Sequence, residues 1–211
     1  MKIMNIIWDF DGTLFNTYPA MIKAFDLALK DFDVIEDRNV LEKRIKITVR
    51  GALEHYNQTY GIDGELLFEK FTEYDHKDDC FKLIMPFENA KATIEKLNDM
   101  GIKNFILTHR GDTTYRILKK FDMDDLFCDI LTFDMGFKRK PDPDGFMQLL
   151  HKHDLDRNST LAVGDRHIDM EAGKNAGLST CFYTGNGIKY DGEQADYFID
   201  ELDHIFEVLS R

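Results

Sequence analysis

"NIIWDFDGTLFN" (Asn5–Asn16) drives an apolar strand straight into two aspartates, one residue apart, and then turns on a glycine. Carboxylates at the end of a buried strand are costly unless something cationic waits for them. Asp9 and Asp11 are therefore either ordinary turn residues or a pair placed together for chemistry. The rest of the chain decides between the two.

After this strand, read as Ile3 to Trp8, about seventy residues carry helical rather than strand periodicity. Thr17 is placed to cap a helix with Pro19 in its first turn, and Met21, Phe25, Ala28, Leu29 and Phe32 fall on one face. "VRGALEHYNQTYG" and "DGELLFEKFTEYDHK" continue in the same way, and no strand is expected between Leu14 and about Cys80. From "MPFENA" onward, helices and strands alternate. "KNFILT", "DILTF", "STLAVGD", "STCFYT" and "ADYFID" read as strands separated by helical segments. That alternation predicts an α/β fold, a parallel sheet covered by helices on both faces. The expected organisation is a discontinuous α/β core, residues 1–14 and 83–211, interrupted by a helical insertion, residues 15–82.

In a parallel α/β sheet, ligands bind at the carboxyl ends of the strands. There the sequence places Asp9 and Asp11, Thr108, and Gly164-Asp165 with Asp169 one helical turn further on; Lys140 in "KRKPDP" precedes a helix and is within reach of the same edge. Each has a bland reading alone. Asp-Gly is commonly just a turn, Lys140 suits a solvated basic loop, and "GDRHID" suits a helix cap. Together they form a chemical set. Several carboxylates in one cleft call for a hard cation, and Mg²⁺ takes few protein oxygens and leaves positions for water and phosphate. Asp9 is placed to attack phosphorus and form an aspartyl-phosphate, and Asp11 to protonate the leaving alcohol and later activate water.

Composition narrows the function. A formal net charge of −12 over 211 residues argues against a chain that coats nucleic acid or an anionic membrane. Cys80, Cys128 and Cys181 are scattered and unpaired by motif, as expected of buried, reduced thiols in a cytoplasmic protein. No signal peptide is expected, and no window approaches the ~18 apolar residues of a membrane span.

"DFDGTLF", "LTH", "KRKPDP" and "GDRHID" resemble, in order and spacing, the four motifs of the haloacid dehalogenase superfamily. The insertion after the first motif resembles the helical cap of its phosphoglycolate phosphatase-like members. The resemblance implies a three-layer Rossmann-like core with an inserted cap, and a Mg²⁺-dependent phosphatase acting on a small phosphorylated metabolite: phosphoglycolate, a sugar phosphate or a nucleotide. It implies Asp9 as nucleophile and metal ligand, and Asp11 as acid/base whose backbone carbonyl also binds the metal. Thr108, helped by the amide of His109, would contact the phosphoryl group, and Lys140 would orient the nucleophile. Asp165 and Asp169 would complete the metal site. A sugar-phosphate mutase shares these motifs, but such mutases usually carry a cap histidine soon after the first motif, and none occurs here until His55. A non-catalytic binding or regulatory protein on the same fold has no use for the full carboxylate–lysine set. The chain departs from the family's pattern at Asn16-Thr17, in the cap segment holding Lys46 and Arg50, and at the unusual His109-Arg110 pair. Monomer and homodimer both remain open.

Overall fold

The computed structural model of the protein describes residues 2–188 and 195–210; residues 1, 189–194 and 211, which fall within the expected core segments, lie outside the described residues. The chain forms two compact units. One is built from Met1–Phe15 and Pro86–Arg211, the other from Asn16–Met85.

The strands, in chain order, are β1 (Asn5–Trp8), β2 (Phe15–Asn16), β3 (Met85–Pro86), β4 (Lys103–Leu107), β5 (Asp129–Leu131), β6 (Thr160–Gly164), β7 (Ser179–Tyr183) and β8 (Tyr197–Ile199). Six of them form a parallel sheet in the order β5-β4-β1-β6-β7-β8, and β2 pairs with β3 in a separate two-stranded ladder. The helices of the inserted unit are α1 (Tyr18–Lys30), α2 (Arg38–Ile47), α3 (Val49–Tyr60), α4 (Gly64–Asp75) and the one-turn α5 (Asp78–Phe81). Those of the sheet unit are α6 (Ala90–Asp99), α7 (Thr113–Lys120), α8 (Asp144–Lys152), α9 (His167–Asn175) and α10 (Ile205–Leu209).

β1 lies at the centre of the sheet because all four of its residues are buried, as a strand covered on both faces must be. Ile7 joins Phe105, Leu107, Leu131 and Ala162 from neighbouring strands against Phe146, Leu149 and Leu150 of α8, Ala172 of α9 and Ala176 just beyond it. Complete burial of Ile6, Ile7 and Trp8 stabilises the strand by roughly 1.5–3 kcal/mol per side chain. The Trp8 indole N–H is satisfied internally by Asn104 Oδ1 at 2.9 Å. The register aligns Trp8 with Ile106 on one side and Val163 on the other, so the carboxyl ends of β1, β4 and β6 lie side by side.

In the inserted unit, α1 packs against α2, α4 and α5, with Phe25 between the rings of Tyr56 and Phe71. Met21, Phe25, Ala28 and Leu29 are buried as expected, whereas Phe32 falls beyond the helix end. Thr17 occupies the cap position of α1, yet its hydroxyl turns to Met21 Sδ (3.6 Å) instead of capping a backbone N–H.

Some elements escaped the periodicity, among them one strand at the edge of the inserted unit and one helix within it. The two-residue β2 lies where no strand is expected, too short to show an alternation. Helix α2 buries only Leu41 and Ile45, so its apolar stripe is faint. Among the cysteines, Cys80 and Cys181 are buried thiols, but Cys128 is exposed. No helix among the described residues is long and apolar enough to cross a membrane.

Candidate active site

The loop after β1 is shaped by its own sequence. Gly12 takes a positive φ of 87°, Gly12 N–H donates to Phe15 C=O (2.8 Å), and Phe15 N–H donates back to Phe10 C=O (3.0 Å). The rings of Phe10 and Phe15 stack at 4.6 Å. An L side chain at position 12 would be strained in this turn. Asp9, whose N–H is still held by the Val163 carbonyl of β6, is thus fixed at the sheet edge.

Asp9, Asp165 and Asp169 come together there, each with a carboxylate oxygen within 4.8 Å of the others, and all three are buried. Lys140 reaches them from the loop before α8. Its ammonium is 2.7 Å from Asp9 Oδ1 and 2.8 Å from Asp169 Oδ1, and it also donates to the Leu107 carbonyl at 2.9 Å. Asp165 accepts from the Thr13 hydroxyl (3.2 Å) and from the Asn186 amide (2.6 Å), which also donates to the Gly12 carbonyl (2.9 Å). Asp169 is engaged at both oxygens: Oδ2 accepts the Arg166 backbone N–H at the start of α9 (3.0 Å), while Oδ1 faces Lys140. Asp169 thus caps the start of α9 and faces Lys140 at the same time. Gly164 permits the close approach of α9, since a Cβ there would lie 2.4 Å from the Asp169 Cβ.

The electrostatics follow from this packing. Burial first, then the Asp169 charge, raise the Asp9 carboxyl to about 6 against the pull of Lys140 and Arg166. Burial also acts to raise Asp169, but Lys140 and Arg166 outweigh it and hold that carboxyl below its usual range. Lys140, although buried, is held above its ordinary value by Asp169 and Asp9. Three carboxylates against Lys140, with the Arg166 guanidinium 4.0 Å from Asp9 and 3.8 Å from Asp169, leave an excess of negative charge. Asp9 Oδ2 is buried and has no hydrogen-bond partner. An all-oxygen donor set in which the Asp9 Oδ2 atom lacks a partner suits a hard divalent cation.

The other expected residues take distinct places. Thr108 is buried at the end of β4, where its hydroxyl accepts the Arg110 N–H at 3.0 Å and so keeps its own proton to donate. The Asp11 carboxylate lies against Arg110, with Nε donating to Oδ1 at 2.7 Å, and Arg110 is also tied to the Thr113 hydroxyl at 3.3 Å. The His109 imidazole accepts the Lys140 backbone N–H at 2.9 Å. Burial first, then the charges of Lys140 and Arg166, push its pKa down to about 2, so the ring is neutral. Within the inserted unit, Lys46 pairs with Glu42 and Arg50 with Glu54 across one helical turn, as residues of a solvated helix face do.

The sequence offers substrate or the inserted cap as contacts for the Arg110 side chain, whereas the structure pairs it with Asp11, and no expectation falls on Thr13, Arg166 or Asn186. Thr13 and Arg166 stood inside the quoted motifs, and Asn186 follows β7, where the strand-end rule applied to one more strand finds it.

The sequence matches the haloacid dehalogenase-like hydrolase family over residues 6–183. It is 29% identical over 221 residues to a protein named pyrophosphatase PpaX from Bacillus mycoides, covering 100% of this chain and 99% of that one. A crystal structure of a hydrolase from Streptococcus pneumoniae shares 31% identity at a TM-score of 0.60, over 85% of this chain and 92% of that chain. A predicted phosphoglycolate phosphatase from Haemophilus somnus shares the fold at a TM-score of 0.84 and 23% identity, over 99% of this chain and 98% of that chain.

Proposed function

The chain belongs to the haloacid dehalogenase-like hydrolases and is a phosphatase, and from that premise we propose a Mg²⁺-dependent enzyme that passes the phosphoryl group of a small metabolite through Asp9. The observation that carries this reading is the asymmetry of the Asp9 carboxylate. Lys140 holds Oδ1, and Oδ2 is buried without a partner.

Asp9, Asp165 and Asp169, with the backbone carbonyl of Asp11, would hold the cation; when bound it offsets the carboxylate charge and lets an anionic phosphate approach. Lys140 fixes the Asp9 rotamer and keeps Asp9 ionised through the step. The Asp9 oxygen attacks phosphorus, the bond to the leaving oxygen breaks, and Asp11 gives that oxygen a proton, the one it regains from water in the following step. Asp11 then takes a proton from water, whose oxygen attacks the phosphoryl group and frees Asp9 and inorganic phosphate. The Thr108 hydroxyl donates to a phosphoryl oxygen.

The relatives' names favour small substrates such as pyrophosphate or phosphoglycolate. The inserted unit, Asn16–Met85, would act as a cap that selects substrate and excludes water. The free thiols and the lack of a candidate membrane helix among the described residues are in keeping with a cytoplasmic enzyme.

Phosphate release is to be measured against a panel of pyrophosphate, phosphoglycolate, sugar phosphates and nucleotides, with Mg²⁺ and with chelator. Release should require Mg²⁺ and vanish in Asp9→Asn. Substantial chelator-sensitive release from that variant would overturn Asp9 as nucleophile.

A further inference from the structure

Lys140 has to place its ammonium on three acceptors at once, Asp9, Asp169 and the Leu107 carbonyl, yet it sits in a stretch without regular structure between the 3-10 turn Phe133–Met135 and α8. Its backbone N–H therefore has no ladder or helix partner. That N–H is taken by the imidazole of His109, 31 residues earlier, at 2.9 Å. Because the amide is the donor, Nε2 is the acceptor, and the ring proton resides on Nδ1. The ring is itself held, stacked near Phe137 (centroids 6.0 Å apart, 28° between planes) and edge-on to Phe133 (6.2 Å).

The rest of the loop is fastened elsewhere. Lys138 N–H donates to Asp144 Oδ2 (2.9 Å), the Arg139 guanidinium lies 3.8 Å over the Phe133 ring, and the Pro141 carbonyl accepts from Asn175 of α9 (3.1 Å). The His109 bond ties the Lys140 peptide itself to the end of β4, directly beside Thr108.

We propose that His109 is a positioning residue: its neutral imidazole accepts the Lys140 N–H and so sets where the Lys140 ammonium meets Asp9 and Asp169. The inference rests on the reading of Lys140 as the residue that orients the nucleophile. It gives the histidine of "LTHRGD" a task for its side chain distinct from the phosphate contact expected of its amide. Losing the acceptor leaves a buried N–H unsatisfied and lets the loop shift, and a misplacement of ~1 Å at a reacting group costs about 100-fold in rate.

The geometry selects the variants. Glutamine Oε1 stands the same number of bonds from Cβ as Nε2 and can accept the same N–H. Asparagine Oδ1 is one bond short, and leucine has no acceptor. Steady-state kinetics with Mg²⁺ and the best substrate of the panel, together with hydrogen exchange at the Lys140 amide and thermal melting, test the proposal. His109→Leu and His109→Asn should lower kcat about 10- to 100-fold with KM within about twofold, and should speed exchange at the Lys140 amide by at least about tenfold. His109→Gln should restore kcat to within about threefold and restore the protection. Wild-type kcat in His109→Leu, or a glutamine variant as impaired as leucine at an equal melting temperature, overturns the proposal. So does a large rise in KM at unchanged kcat, which would mark direct substrate contact. If leucine does not fold, glutamine against asparagine decides. Amide exchange is read without turnover, so a failure of the phosphatase reading, seen as no Mg²⁺-dependent release by wild type, is distinguishable from a failure of this one.

Discussion

Replacing Asp9 by asparagine in the metal-free protein removes one charge from a buried set of carboxylates while keeping the shape of the side chain. Burial and Asp169 raise the Asp9 carboxyl from 3.8 to about 6 in the folded state. A folded value above the unfolded one means that the folded protein keeps a proton that the unfolded chain has already released. The stability this group contributes is therefore full below its unfolded value and is lost as the pH rises through about 6. At ~1.4 kcal/mol per pH unit, the gap corresponds to a loss of about 3 kcal/mol. Asparagine does not titrate, so the stability difference between variant and native protein should move by about 3 kcal/mol in the variant's favour between about pH 3.5 and 7. The lost Lys140–Asp9 contact offsets part of this gain, but Lys140 retains Asp169 and the Leu107 carbonyl. Urea unfolding in chelator, followed by circular dichroism at several pH values, measures the difference and cancels the titrating groups remote from Asp9. Mg²⁺ at about 100 times its Kd should then stabilise native protein by about 2.7 kcal/mol and the variant by less. A difference that stays flat across the pH range, or that moves against the variant, would refute the charge-excess reasoning.

Lys140→Met keeps the apolar stem but leaves Asp9 and Asp169 facing one another without the ammonium. Unfolding free energy should fall by about 3–5 kcal/mol in denaturant titrations, with kcat lower by at least about 100-fold. Asn186→Ala removes the donor shared by Asp165 and the Gly12 carbonyl; the Mg²⁺ activation curve should shift to about tenfold higher concentration, with kcat at saturating metal changed far less. Gly164→Ala would place a methyl 2.4 Å from the Asp169 Cβ and push the start of α9 off the sheet. A cost of about 1–3 kcal/mol is expected, read as a melting temperature lower by several degrees together with impaired phosphate release.

Much of the sheet unit was legible because its signals are local. β1 is a continuous apolar run, and β4, β6 and β7 are apolar stretches broken by helix patterns of distinct period. The strand-end rule then points to Asp9, Thr108 and Asp165 from sequence alone. Helix α2 was illegible for the opposite reason: with Leu41 and Ile45 its only buried residues, its place depends on the helices around it.

By itself, the sequence determined the strand–helix alternation, the residue types at the strand ends, and so the family and the kind of chemistry. Local periodicity and covalent adjacency carry that information. The tertiary structure alone decided which acceptor each donor takes. Lys140 bridges Asp9 and Asp169, Arg110 holds Asp11 across 99 residues of sequence, and the His109 ring serves the lysine's backbone. Asn186 closes on the loop of Gly12 from 174 residues away. Such pairings depend on strand order, on the path of irregular loops and on rotamers set by burial. For that reason "DFDG" announced two carboxylates, and only the packed sheet edge gave one of them a lysine and the other an arginine.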